Sequence, residues 1–134
     1  MTTSSVIYQG SFHTEATHTR SGNAISTDAP VDNHGKGEAF SPTDLLATSL
    51  ASCALTTIAL QGNKKGINID GASAEVVKHM ASDPRRVSQI DIIFKMPPNH
   101  FTDEEKTFIR HVIDTCPVAK SLHPDLVQSV EVRW

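Results

Sequence analysis

An α+β domain is predicted by three features of the chain. Short alternating, β-branched runs come in pairs at its start and in its middle. A long uncharged stretch, Leu45 to Leu60, opens on a helix-start signal, and a second helix-start signal at Thr102 precedes a closing run of alternating apolar residues. Helices and strands follow one another in segregated groups rather than in strict alternation, which argues against a parallel doubly wound sheet.

Taken in order, residues 1–5 carry no pattern and are expected to fray. Val6 to Phe12 reads as a strand, Thr19-Arg20-Ser21-Gly22-Asn23 as a turn, and Ala24 to Thr27 as a second strand, making a hairpin. From Asp28 to Phe40 the composition shifts to Pro, Asn, His, Lys and Gly, which predicts a mobile loop. Ser41-Pro42-Thr43-Asp44 then places a capping hydroxyl, a proline at the first helical position and an acid three residues after the cap. The helix is expected to run to about Gly62. No face of its middle carries a charge, so it is expected to be central and covered.

Ala72 to Met80 and Val87 to Met96 read as two strands joined by Asp83-Pro84-Arg85-Arg86, and Pro97-Pro98-Asn99 ends the pair. Thr102 and Glu105 have the spacing of a capping box for a helix through about Asp114, with Phe108, Val112 and Ile113 inward. Cys116-Pro117 breaks and restarts the chain into a short helix, Val118 to Leu122, and Ser129 to Trp134 closes as a strand. The expected order is ββ-α-ββ-α-α-β.

The chain of 134 residues carries 12 basic and 15 acidic side chains, a formal net charge of -3, and reads as one domain over 1–134. Hydrophobic residues make up 38%, and with glycine added the apolar share falls a little under the ~45–50% usual for globular chains. That shortfall hints at a core shared with a second subunit. The acidic balance and the lack of a Lys/Arg-dense tract exclude a phosphate-tracking surface, so no nucleic-acid partner is expected. The start lacks a basic segment followed by an apolar one, and the uncharged run is diluted by Thr, Ser and Ala below the ~20 apolar residues of a spanning helix. A cytoplasmic protein with no membrane partner is expected.

Chemistry centres on two cysteines, too few for a disulfide scaffold. Cys53 shares a helical face with Leu46, Leu60 and the hydroxyls of Ser49, Thr56 and Thr57. It reads either as a small buried hydrophobe or as a reactive thiol. Cys116 precedes Pro117 at a helix start, where unpaired amides favour an anion and would lower the thiol pKa, or it simply fills a tight packing spot. The two are far apart in sequence, so only the fold decides whether they meet. Seven histidines do not make a zinc site: His111, Cys116 and His123 lack a fourth partner, His13 and His18 have no regular pairing, and no metal or cofactor is expected. Gly35-Lys36-Gly37 lacks the spacing of a phosphate loop and reads as a flap.

The helix-opening Ser41-Pro42-Thr43-Asp44-Leu45-Leu46, the Ser49-Leu50-Ala51-Ser52-Cys53 that follows, and the distant Cys116-Pro117-Val118-Ala119-Lys120 together resemble the OsmC/Ohr family of osmotically induced and organic hydroperoxide resistance proteins. The resemblance covers nearly the whole chain. It implies antiparallel sheets around a buried Cys-bearing central helix, an intertwined homodimer, and a thiol-dependent peroxidase with no cofactor. In that scheme Cys53 attacks a hydroperoxide and becomes a sulfenic acid, Cys116 resolves it as a disulfide, and an external dithiol, lipoyl-type in some relatives, resets the pair.

An unperturbed thiol is only a few per cent ionised at pH 7, so the chemistry wants a cation, and Arg20 is similar to the loop arginine of the hydroperoxide branch. Lys36 is the substitute. One departure stands out: the peroxidase branches carry a Glu after the helix-opening proline, where this chain has Thr43. Asp44 falls about 180° around the helix from Cys53 and reads as a cap, whereas Glu38 is the substitute carboxylate. The rival readings are a binding module for an apolar ligand at a subunit interface and a thiol-disulfide exchange protein.

Overall fold

The computed structural model describes residues 1–134, and the chain divides into two compact units, residues 1–46 and 47–134. The first unit is an antiparallel meander of β1 (Ser4–Gly10), β2 (His13–His18) and β3 (Ala24–Asp28). Two strands were expected here and three are present. The tight turn that separates β1 from β2 runs through Gly10, Ser11 and Phe12, all at positive φ. A left-handed phenylalanine is rare, so sequence patterning reads through it as continuous strand. The N-terminus also differs from expectation. Ser4 and Ser5 pair with His18 and Thr17, and the Thr19 amide donates to the Thr3 carbonyl at 3.0 Å.

Val6 and Ile7 are neighbours in β1 and therefore point to opposite faces of the meander. Both are more than 60% exposed, as is Tyr8, and every buried apolar side chain of the chain lies at or after Ala47. The N-terminal unit thus has no apolar core of its own. Its buried side chains are Thr27, Asp28 and Ser41.

After β3, a single 3-10 turn, Val31–Asn33, begins the connection that was expected to be a mobile loop. It is pinned at several points. The Asp28 amide donates to the Phe40 carbonyl at 3.1 Å, and the Gly35 amide donates to the Pro30 carbonyl at 2.9 Å. A Cβ on Gly35 would sit 1.6 Å from the Ala29 carbonyl oxygen, so only glycine fits.

Helix α1 (Pro42–Asn63) starts as its sequence dictates. Ser41 Oγ accepts from the Asp44 amide and Asp44 Oδ2 accepts from the Ser41 amide, each at 3.0 Å, a capping box with aspartate in place of glutamate. Its core face carries Ala47, Leu50, Ala51, Ala54, Ile58 and Gly62. The helix is less covered than expected: Ser52, Thr56, Ala59 and Leu60 are exposed, Leu60 by 68%. Its 22 residues are also long and apolar enough to cross a membrane by length and composition alone. Its buried face packs into the core of the second unit.

The second unit adds β4 (Ser73–Ala81), β5 (Arg86–Lys95), α2 (Asp103–Thr115), α3 (Pro117–Ser121) and β6 (Val127–Arg133). β5 is the centre of a three-stranded sheet, antiparallel to β4 and parallel to β6. The expectation of antiparallel sheets holds at the other three strand pairings and fails at this one. The chain leaves β5, crosses through α2 and α3, and returns in the same direction, as a parallel pair requires. A bulge opposite His79 and Met80 shifts the inward phase of β5, so Val87 is buried but the next buried residues are Ile90, Ile92 and Phe94. They pack in one core with Ile58 of α1 and with Ile109, Val112 and Ile113 of α2.

Candidate active site

Cys53 lies in the middle of α1 and is half-buried. One turn later, Thr57 donates its hydroxyl proton to the Cys53 carbonyl at 2.7 Å, and the same oxygen is 3.8 Å from Cys53 Sγ. Threonine in a helix commonly satisfies its hydroxyl on the carbonyl four residues back. Here that habit puts an oxygen beside the sulfur.

Cys116 is delivered by the break between α2 and α3. It is both the C-cap of α2 and the N-cap of α3, with an extended backbone (φ -61, ψ 155). Pro117 forces that conformation on the residue before it and occupies the first position of α3. The side chain is 1% exposed and belongs to the core. Both cysteines are free thiols, and Cys53 is near enough to Cys116 to help raise its pKa. The fold therefore brings the two sulfurs together, which spacing alone left open.

Burial pushes the Cys116 thiol above its ordinary range, and the neighbouring Cys53 adds to the shift. The amides of Ala119 and Val118 act the other way. A helix-start anion effect was expected to win and lower this pKa. It is present but smaller than the cost of placing a charge in the core, and α3, at five residues, makes no side-chain cap bond to the thiol. Burial thus favours the protonated form of Cys116.

The other candidates lie in the N-terminal unit. Arg20 is exposed on the β2–β3 turn, beside a His18 Nδ1 to Ser21 Oγ contact of 2.7 Å and a Gly22 amide bond to the His18 carbonyl of 2.8 Å. Lys36 and Glu38 line a cleft of about 380 Å³ with Gln9, Ser11, His13 and Asp28. Asp28 is its buried anion: it faces His13 Nδ1 at 2.5 Å and accepts the Glu38 amide at 3.0 Å. The bond from His13 holds its carboxyl below the usual range, helped by the Glu38 amide and the charges of His13 and Lys36, against an opposing effect of burial. Asp44 is engaged in the α1 cap, as expected.

Two of these features escaped sequence reading. Thr57 was one of several hydroxyls on its face, with nothing to single it out except its position one turn after Cys53. His13 and Asp28 are cross-strand partners at the open end of the β2–β3 ladder, but neither strand boundary was legible there.

Two neighbouring thiols can share a two-electron oxidation: a nucleophilic attack by one, then closure of a disulfide by the other. Known proteins resemble this chain in sequence and in fold. Residues 35–131 match the family model described as OsmC-like protein. A crystal structure from Psychrobacter arcticus, named for osmotic stress induction and a detoxification response, is 54% identical over 99% of this chain and 96% of that one, with a TM-score of 0.95. An organic hydroperoxide resistance protein OsmC from Legionella pneumophila is 15% identical over 100% of this chain and 98% of its own, at a TM-score of 0.78. An OsmC-like protein from Mycoplasma pneumoniae is 23% identical over 96% and 93%, also at 0.78. At such identities the last two speak for the fold alone. No curated protein matches the chain.

Proposed function

Since the chain belongs to the OsmC-like protein family, we propose that it is a thiol-dependent peroxidase that reduces organic or other hydroperoxides through Cys53 and Cys116. The observation that supports this reading is the nearness of two free thiols, Cys53 packed against the core that holds Cys116. The detoxification response in the name of the Psychrobacter relative agrees with it.

Exposure divides the roles. Cys53 is half-buried and can meet a substrate, while Cys116 is sealed and cannot. The Cys53 thiolate attacks the distal oxygen of the hydroperoxide. An S–O bond forms, the O–O bond breaks, and the alkoxide leaves as an alcohol after taking a proton. The Cys53 sulfenic acid then meets Cys116. The S–S bond forms, the S–O bond breaks, and water departs with the Cys116 proton. An external dithiol, lipoyl-type by family likeness, returns the disulfide to two thiols by exchange. Arg20 is the proposed cation of the first step, a role that rests on its likeness to the family's turn arginine.

We further propose that the working form is a cytoplasmic homodimer. A three-stranded meander with apolar side chains on both faces and no buried apolar residue is not stable alone in water. The uncharged, exposed side of α1 likewise wants cover.

One equivalent of cumene hydroperoxide per chain is the decisive test. Loss of two free thiols with release of cumyl alcohol is expected, and loss of that activity in Cys53→Ser. Retention of both thiols in the wild type would instead favour a binding module for an apolar ligand.

A further inference from the structure

We propose that the cleft of the N-terminal meander is a second reaction site, hydrolytic toward small polar carboxylic esters, with His13 as general base and Asp28 as the positioning residue that orients it. The site is independent of the chemistry of Cys53 and Cys116.

The cleft has a volume of about 380 Å³, near the lower end of small-molecule sites. The side chains that line it, Gln9, Ser11, His13, Asp28, Lys36 and Glu38, are all polar. Such a lining suits a small polar ligand and offers nothing to a long alkyl chain.

Cross-strand pairing sets His13 opposite Asp28. Imidazole Nδ1 stands 2.5 Å from Asp28 Oδ1, and the Glu38 amide donates to Asp28 Oδ2 at 3.0 Å. Both carboxylate oxygens are therefore held in place. The carboxyl, kept below its ordinary range, is an anion at neutral pH. An anionic partner keeps the ring proton on Nδ1 and leaves the lone pair on Nε2. The His13 side chain is 33% exposed and that of Asp28 only 6%, so the base is open to the cleft while the group that orients it is sealed.

Water is the nucleophile. His13 Nε2 takes one proton from it as the oxygen adds to the ester carbonyl carbon. Asp28 stabilises the imidazolium that forms, and Lys36 supplies positive charge for the carbonyl oxygen as it becomes an anion. The C–O bond to the leaving group then breaks, and the leaving oxygen takes the proton back from Nε2. A carboxylic acid and an alcohol depart, with no oxidant or reductant involved.

The test is hydrolysis of p-nitrophenyl acetate by the full chain carrying Cys53→Ser, which removes acylation of that thiol from the signal. Saturable hydrolysis is expected, faster with the acetate than with the hexanoate and slower in heavy water. Added His13→Gln is expected to lower kcat about 100-fold, the scale of a lost general base. His100→Gln, at an exposed imidazole outside the cleft, is expected to change nothing. Free imidazole is expected to restore part of the rate to His13→Ala. Asp28→Asn is expected to lower kcat by roughly tenfold or more at unchanged KM, which separates lost orientation from a lost cleft. Because the same residues tie down the 28–40 connection, these variants are assayed below their thermal midpoints. The unaltered cleft is tested in parallel with diethyl pyrocarbonate, and loss of hydrolysis is expected to track modification of His13 mapped by mass spectrometry. A rate no higher than that of free imidazole at equal concentration, full activity in His13→Gln, or hydrolysis that survives complete modification of His13 would each overturn the site.

Discussion

His13 and Asp28 face each other across the β2–β3 ladder, with imidazole Nδ1 2.5 Å from a carboxylate oxygen that is almost wholly buried. The other carboxylate oxygen accepts the Glu38 amide, so the pair ties the 28–40 connection to the meander. The groups facing Asp28 are His13, Lys36 and Glu38, and together they hold its carboxyl below the ordinary range.

Acid stability follows from that direction. A carboxyl whose pKa is lower in the folded state contributes stability above its unfolded value, ~3.9, and loses it as pH falls through the folded value. Thermal midpoints measured from pH 7 to 3 are expected to fall below about pH 4 in wild type. Asp28→Asn is expected to be less stable at pH 7 and to fall less steeply in acid. An identical acid limb in both proteins would remove Asp28 from the account.

Cys116 sets an alkaline limit by the opposite sign. Its thiol is raised in the folded state, so its contribution is complete below the unfolded thiol value, ~8.5, and is lost as pH rises through the folded one. Urea unfolding of the reduced protein is expected to show stability declining above about pH 9, with Cys116→Val declining less.

Subunit association is checked by sedimentation. A species of twice the 14.5 kDa chain mass is expected, and Ile7→Lys or Leu60→Lys, placed on exposed apolar positions, is expected to shift it toward the monomer. A wild type that sediments as a monomer at micromolar concentration would contradict the dimer.

The start of α2 is held by a reciprocal pair: Thr102 Oγ1 accepts from the Glu105 amide at 3.1 Å and Glu105 Oε1 accepts from the Thr102 amide at 2.9 Å. Thr102→Ala is expected to cost about 1 kcal/mol, read as a lower urea midpoint at unchanged slope.

If Arg20 supplies the positive charge for the first step, Arg20→Ala should lower single-turnover peroxide consumption by roughly tenfold or more, with Arg20→Lys recovering part of the loss. Unchanged turnover in Arg20→Ala would return the turn arginine to an ordinary solvated role.

Helix starts were legible because they rest on local chemistry. Ser41 with Asp44, Thr102 with Glu105, and Cys116 before Pro117 all sit where their spacing predicts. β2 was not legible, because His-Thr-Glu-Ala-Thr-His has no apolar alternation to read. The direction of β6 was hidden for a different reason. Parallel and antiparallel strands share the same period, and only the crossover distinguishes them. The two cysteines were visible as candidates, but their meeting depends on contacts between α1 and the α2–α3 junction that no spacing encodes. The sign of the Cys116 shift was missed because helix-start amides can be read from Pro117, whereas burial cannot.

Because β6 lies parallel to β5, the connection between them must travel back along the sheet, and Cys116 rides on that return path. A ribosome-bound chain that has emerged only through β5 carries Cys53 as a solitary thiol. Its sulfur partner arrives with the last third of synthesis, ahead of the strand that closes the sheet. A chain shortened before Cys116 therefore lacks both the second thiol and the strand that completes the sheet, whereas one shortened after α3 lacks only the strand.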